Sequence, residues 1–247
     1  MRGIKRFTLV ELLVVTGCLA VLASMTLPAT NRAREIALQA SCSGNLRQSV
    51  QGLLAYSQSY DGWCALNKDG YYNWCKSPGM PQELGLNETT DLNIYTNRKI
   101  TICPGITVNP NGWSTNQCYG VPRYWGQGST DFNEVAVSPV ELSVDGWLMT
   151  RVNLLQDASK YIILGDAAYG PQFASGNIHQ ISGEPCPLFC RRDANFAGLA
   201  KWHLGNANVA YADGHAADTS DRSRLFTDSK IGNLLSADGL TVEKIGQ

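Results

Sequence analysis

The chain has 247 residues, with 20 Lys and Arg against 21 Asp and Glu and a net charge of −1. Charge so balanced is uninformative about nucleic acid, but no basic patch calls for a polyanion, and nucleic acid is not expected as a partner. One apolar run near the N-terminus leaves about 220 residues for a single domain with its own core rather than a multidomain enzyme.

The first six residues, MRGIKR, carry Arg2, Lys5 and Arg6. The apolar run Phe7 to Leu27 follows, 21 residues with one acid, Glu11. At about 1.5 Å per residue this length matches the ~30 Å hydrocarbon core of a bilayer. Positive charge upstream marks the cytoplasmic side, so the remainder is expected outside the cytosol. A carboxylate in a span costs about 2.5–3.5 kcal/mol on insertion scales, which makes Glu11 a functional candidate.

Three uses of this N-terminus compete. A secretory signal would be cut near Val21-Leu22-Ala23. A lipoprotein signal would use Val15-Thr16-Gly17-Cys18 and leave Cys18 lipid-modified. A signal cut on the cytoplasmic side, before Phe7, would keep the whole apolar helix, and only this reading gives Glu11 a role.

The stretch Phe7-Thr8-Leu9-Val10-Glu11-Leu12-Leu13 resembles the cleavage and methylation motif of type IV pilins and type II secretion pseudopilins. The resemblance implies a leader over 1–6, a transmembrane and assembly helix over 7–28, and an exported globular domain over 29–247. It implies cleavage between Arg6 and Phe7 by a prepilin peptidase, which also methylates the new amine. Arg6 stands where the family usually has Gly. Glu11 would then pair with the Phe7 ammonium of a neighbouring subunit, since two buried charges each offset the other's desolvation. The implied partners are other pilin or pseudopilin subunits, the peptidase/methyltransferase, an inner-membrane assembly platform and membrane lipid. The implied location is the inner membrane, single-pass, with the C-terminal domain on the periplasmic side. Loss of the leader would leave 17 basic against 21 acidic side chains.

After the span, residues 29–60 keep helical spacing. Ile36, Ala40, Leu46, Val50, Leu53, Leu54 and Tyr60 fall on one seam, Pro28 marks a bend, and Asp61-Gly62 ends the helix. Downstream, Lys99–Cys103, Tyr161–Asp166 and Asn208–Ala212 read as short strands. An α+β fold is expected: a long N-terminal helix packed against a small antiparallel sheet, with loop-rich insertions. Trp63, Trp74, Trp113, Trp125 and Trp147 lie in or near the loop-rich middle and are expected to anchor loops in the core rather than bind a polymer.

Asn206 to Ala217 reads as a hairpin turning at Asp213-Gly214 in a two-residue type I′ turn, with His203 as a brace. His203, nine residues, then Asp213-Gly214, together with Ser41-Cys42-Ser43-Gly44-Asn45-Leu46-Arg47-Gln48 and Tyr60-Asp61-Gly62, resemble the prepilin-like proteins named for a His-X9-Asp-Gly motif. A weak metal site from His203, Asp213 and His215, with thiolates from Cys186 and Cys190, is the competing reading; a structural hairpin is preferred, with no metal and no cofactor expected.

Of eight cysteines, Cys18 lies in the span and seven lie outside. Local pairing favours Cys64–Cys75, Cys103–Cys118 and Cys186–Cys190, with Cys42 alone on the helix, although connectivity is open. No hydrolase elbow, His-Glu-x-x-His or activated cysteine is legible, so a non-enzymatic structural subunit is expected. The alternative is a membrane-anchored envelope protein whose globule binds a ligand, polymer or metal.

Overall fold

A computed structural model describes residues 8–68, 72–74, 100–106, 118–122, 140–142, 147–171, 188–189, 197–229 and 231–245. The chain divides into two compact units, Met1–Ala37 and Leu38–Gln247. Arg6, Phe7, Cys75, Trp113, Trp125, Cys186 and Cys190 lie outside the described residues.

Helix α1 runs Leu9–Ser59 and includes Pro28. In the first unit every described side chain from Thr8 to Ala37 is exposed, as a helix surrounded by lipid or by neighbouring chains requires. The helix is long and apolar enough to cross a membrane. Its hydroxyls bond back to its own carbonyls: Thr16 Oγ1 donates to Leu12 O at 3.0 Å, Ser24 Oγ to Val21 O at 2.7 Å and Thr30 Oγ1 to Thr26 O at 2.9 Å. Such bonds leave no hydroxyl unsatisfied where water is absent.

In the second unit the same helix becomes amphipathic. Cys42, Leu46, Ser49, Val50, Leu53, Tyr56 and Ser57 are buried, a stripe of threes and fours that turns one face into the core. The stripe differs in part from the expected seam. Ile36, Ala40 and Tyr60 are exposed, and Cys42, Ser49 and Tyr56 take core positions. Asp61 (φ 52°) and Gly62 (φ 83°) end the helix in the left-handed region. A Cβ on Gly62 would sit 2.4 Å from the Asn153 side chain, so both φ and space demand glycine there.

The remaining fold is α+β, but its strands form several short sheets rather than one. Strands β1 (Trp63–Lys68), β2 (Tyr72–Asn73), β4 (Val140–Leu142) and β5 (Trp147–Arg151) form an antiparallel sheet in the order β2-β1-β5-β4. Strand β3 (Val121–Pro122) pairs in parallel with β8 (Leu188–Phe189). Strands β6 (Ile162–Gly165), β10 (Asn208–Tyr211) and β11 (Ala216–Asp218) form an antiparallel set ordered β11-β10-β6. A last sheet, β13-β12-β9-β7, joins β7 (Ala167–Tyr169), β9 (Ala197–Ala200), β12 (Asn233–Leu235) and β13 (Val242–Lys244), with β9 and β12 parallel. A short helix α2 (Arg222–Thr227) is N-capped by Asp221, whose carboxylate accepts from Arg224 N at 2.9 Å.

Two expected strands are present, within Tyr161–Asp166 and Asn208–Ala212. The third is not. Described residues 100–103 follow turns and bends: two of their carbonyls are taken by helix side chains, while Thr101 O accepts from Tyr119 N and Cys103 O from Ile106 N. Ser49 Oγ donates to Ile100 O at 2.7 Å and Asn45 Nδ2 to Ile102 O at 3.3 Å. Trp74 is fully buried, and its indole N–H donates to Tyr119 O at 2.9 Å, a core anchor as expected.

Candidate functional site

At the N-terminus, Thr8 and Glu11 form a reciprocal cap. Thr8 N and Oγ1 donate to Glu11 Oε2 at 2.9 and 2.8 Å, and Glu11 N donates to Thr8 Oγ1 at 3.2 Å. This is a capping box, which satisfies orphan donors of the first helical turn. Its Thr-x-x-Glu spacing ahead of an apolar run was readable in the sequence.

The His-X9-Asp-Gly stretch divides between two structures. His203 opens a tight turn: His203 N donates to Asn206 O at 2.9 Å and Asn206 N to His203 O at 2.8 Å, with Leu204 (φ 49°) and Gly205 (φ 82°) between them. Positive φ at both central residues is the mark of a type I′ turn. The expected type I′ turn at Asp213-Gly214 is instead a three-residue loop. Gly214 N bonds Tyr211 O, Tyr211 N bonds His215 O, and only Gly214 has positive φ, at 94°. Asp213 is half-exposed and contacts His215 Nδ1 at 2.5 Å, while that ring stacks on Tyr211. The set His203, Asp213 and His215 is therefore not a joint site.

His203 turns inward and meets three residues from distant parts of the chain. Cys42 comes from α1, Cys103 from the irregular stretch against it, and Asp166 from the junction of β6 and β7. At that junction the chain leaves one sheet for another: Asp166 N bonds Asn208 O at 2.9 Å and Ala200 N bonds Asp166 O at 2.8 Å. Cys103 Sγ lies 3.0 Å from His203 Nε2, His203 Nε2 lies 3.5 Å from Asp166 Oδ2, and Cys42 Sγ donates to Asp166 Oδ1 at 3.2 Å. All four ligand-type atoms fall within 4.8 Å of one another. The four residues are at most 2% exposed.

Donors surround the cluster. Asn208 N gives a hydrogen bond to Asp166 Oδ2 at 2.8 Å, the Gly105 N–H bonds Cys103, and the Tyr119 hydroxyl, itself donating to Cys42 O at 3.2 Å, lies 3.4 Å from Cys42 Sγ. Burial, followed by the neighbouring Cys103 sulfur and Asp166, pushes the Cys42 thiol up. Hydrogen bonding from Cys42 and the imidazole of His203 outweigh burial at Cys103 and hold it down at about 6. Burial, then the charge of Cys103, pushes Asp166 up to about 7.

The cysteines correct the expected pairing. Cys103 and Cys118 form no disulfide with each other, and Cys18, Cys42, Cys64 and Cys103 carry free thiols. Cys103 faces Cys42 and His203 instead, and Cys42, expected to stand alone, is part of the cluster. Cys64 donates to Leu53 O at 3.3 Å, so it does not bridge to Cys75. Burial pushes the Cys64 thiol up to about 12.

No family model matches the chain, and neither a curated protein nor a solved structure matches it.

Proposed function

We propose that the chain is a structural, non-enzymatic pseudopilin or minor-pilin-like subunit that assembles through its N-terminal helix into a filament of a secretion or pilus machine. The observation that supports this reading is the change of character within α1. Its first part is apolar with exposed side chains, and its second part buries one face in a small α+β globule. A helix that only held a soluble fold together would not expose Leu9, Val10, Leu12, Leu13, Leu19, Leu22 and Met25. Lipid or neighbouring helices are the natural cover for that surface.

On this reading Arg6-Phe7 is the processing boundary, a prepilin peptidase and methyltransferase and an inner-membrane assembly platform are partners, and the globule faces the periplasm. A second reading, a membrane-anchored envelope binding protein, is favoured by one observation: Glu11 is satisfied within its own helix by Thr8. Intact-mass analysis and N-terminal sequencing of the membrane-extracted protein test the proposal. N-methyl-Phe7 is the expected terminus. An intact Met1, or a start at Cys18 or Ser24, would overturn it in favour of an anchored, lipidated or secreted protein.

A further inference from the structure

We propose that Cys42, Cys103, Asp166 and His203 are the four ligands of a structural zinc(II) ion, through the two Sγ atoms, a carboxylate oxygen and Nε2. The inference is independent of whether the helix assembles into a filament.

Geometry carries it. With Zn–S near 2.3 Å and Zn–N and Zn–O near 2.0–2.2 Å, the edges of a zinc tetrahedron are about 3.3–3.8 Å. The Cys103–His203 and His203–Asp166 Oδ2 separations of 3.0 and 3.5 Å are two such edges, Cys42 Sγ lies 3.2 Å from the other carboxylate oxygen, and all four ligand atoms lie within 4.8 Å of one another. An ion at the centre needs the separations of the four atoms to change by about an ångström or less. The donor set is that of zinc rather than of calcium or magnesium, which prefer oxygen.

Two other uses of the same residues fit less well. In a Cys-His-Asp nucleophilic site the cysteine and the carboxylate occupy opposite nitrogens of the imidazole. Here Cys103 and Asp166 both approach Nε2, which is convergence on a point and not a relay. Near-complete burial also leaves a substrate no approach. A Cys42–Cys103 disulfide would use the sulfurs but leave a buried carboxylate facing a buried imidazole. With zinc, both thiols release their protons on binding, and the ion offsets two of the three negative charges. The remaining charge meets the Asn208 and Gly105 N–H groups, outer-shell donors of the kind such sites use.

Local sequence supports the closeness. A Cβ on Gly105 would lie 3.2 Å from His203 Cε1, so glycine lets the chain pass beside the ring. The ligands come from α1, the irregular stretch 100–106 against it, the β6–β7 junction and the turn before β10. One ion would therefore cross-link the helix to the sheets.

The test uses the full chain in detergent, reduced, stripped by chelator and then titrated with Zn(II) or Co(II) alone. The expected result is one metal per chain, with cobalt giving a tetrahedral visible spectrum and a sulfur-to-cobalt charge-transfer band. Cys103→Ser should weaken zinc by more than the ~10–100-fold typical of an outer-shell loss, while Cys118→Ser, outside the cluster, should bind as the parent does. The wild-type spectrum decides the matter even if a variant misfolds. Failure of the reduced chain to bind either metal, cobalt bound without the sulfur band, or a Cys42–Cys103 disulfide in protein isolated without reductant would each overturn the proposal. So would one iron or copper per chain in place of zinc as isolated.

Discussion

Cys103 Sγ lies 3.0 Å from His203 Nε2 across one hundred residues of sequence, both side chains being buried. The contact fixes the stretch laid along α1 against the turn that leads into β10. Cys42, Cys64, Cys103 and Cys118 should all be alkylated in denaturant without prior reduction, and Cys64 should be protected in the native protein by its burial. Peptide mapping after differential alkylation checks this. A requirement for reductant at Cys64, Cys103 or Cys118 would restore the disulfide scheme that spacing alone favours.

Gly165 immediately precedes Asp166, and a Cβ there would meet Leu199 Cδ2 at 2.5 Å and Val209 Cγ1 at 3.3 Å. Gly165→Ala should destabilise the globule by about 1–3 kcal/mol through overpacking. Leu199→Ala, which opens a cavity, should cost about 2–5 kcal/mol alone. The double variant should be more stable than the sum of the two, since the new methyl enters the space Leu199 vacates. Denaturant melts of the three variants measure the coupling, and strict additivity would contradict it.

The Asp-Gly pair is accounted for by its loop. Gly214 at φ 94° occupies a conformation costing other residues about 1–3 kcal/mol, so Gly214→Ala should lower stability by about that amount. Asp213→Ala should matter less, because its contact with His215 is half-exposed. Thermal melts rank the two, and a larger effect at Asp213 would indicate a role beyond the turn.

Part of the fold was readable in chemistry that is local. The apolar span, the strands around Ile162 and Val209, and the need for glycine at 214 follow from adjacent residues. The four-residue cluster was not, because Cys42, Cys103, Asp166 and His203 share no spacing and meet only after folding. Their signals were weak singly: a cysteine on the buried stripe of a helix and an acid closing the apolar strand Ile162–Gly165. Residues 100–103 carry strand-like side chains, yet Ser49 and Asn45 claim two of their carbonyls. Strand β1 was missed because Asn67 and Lys68 interrupt its apolar pattern.

Glu243 accepts from Lys201 Nζ at 2.7 Å and Arg222 Nε at 3.3 Å. Hydrogen bonding from Lys201, more than Arg222, holds its carboxyl below the usual 4.5. A depressed folded value means that the pair stabilises above the unfolded pKa and that this contribution is lost as pH falls through the folded one. Because Glu243 is more than one-third exposed, the effect should be at most about 1 kcal/mol. Glu243→Gln should therefore lower the melting temperature slightly at neutral pH and in low salt, with the difference vanishing below the carboxylate range. A difference that grows toward acid pH would reverse the sign.

Glu11 is proposed to serve the assembly of α1 with its neighbours as well as the cap it forms with Thr8. Glu11→Gln separates these roles, because glutamine retains the capping acceptor but not the charge. Cysteine crosslinking between subunits, in membranes carrying the partner subunits, is the direct measurement. A crosslinked ladder is expected for the wild type, and processed, membrane-embedded monomer for both Glu11→Gln and Glu11→Ala. A ladder of wild-type intensity for Glu11→Gln would reduce Glu11 to a helix cap and the span to a plain anchor.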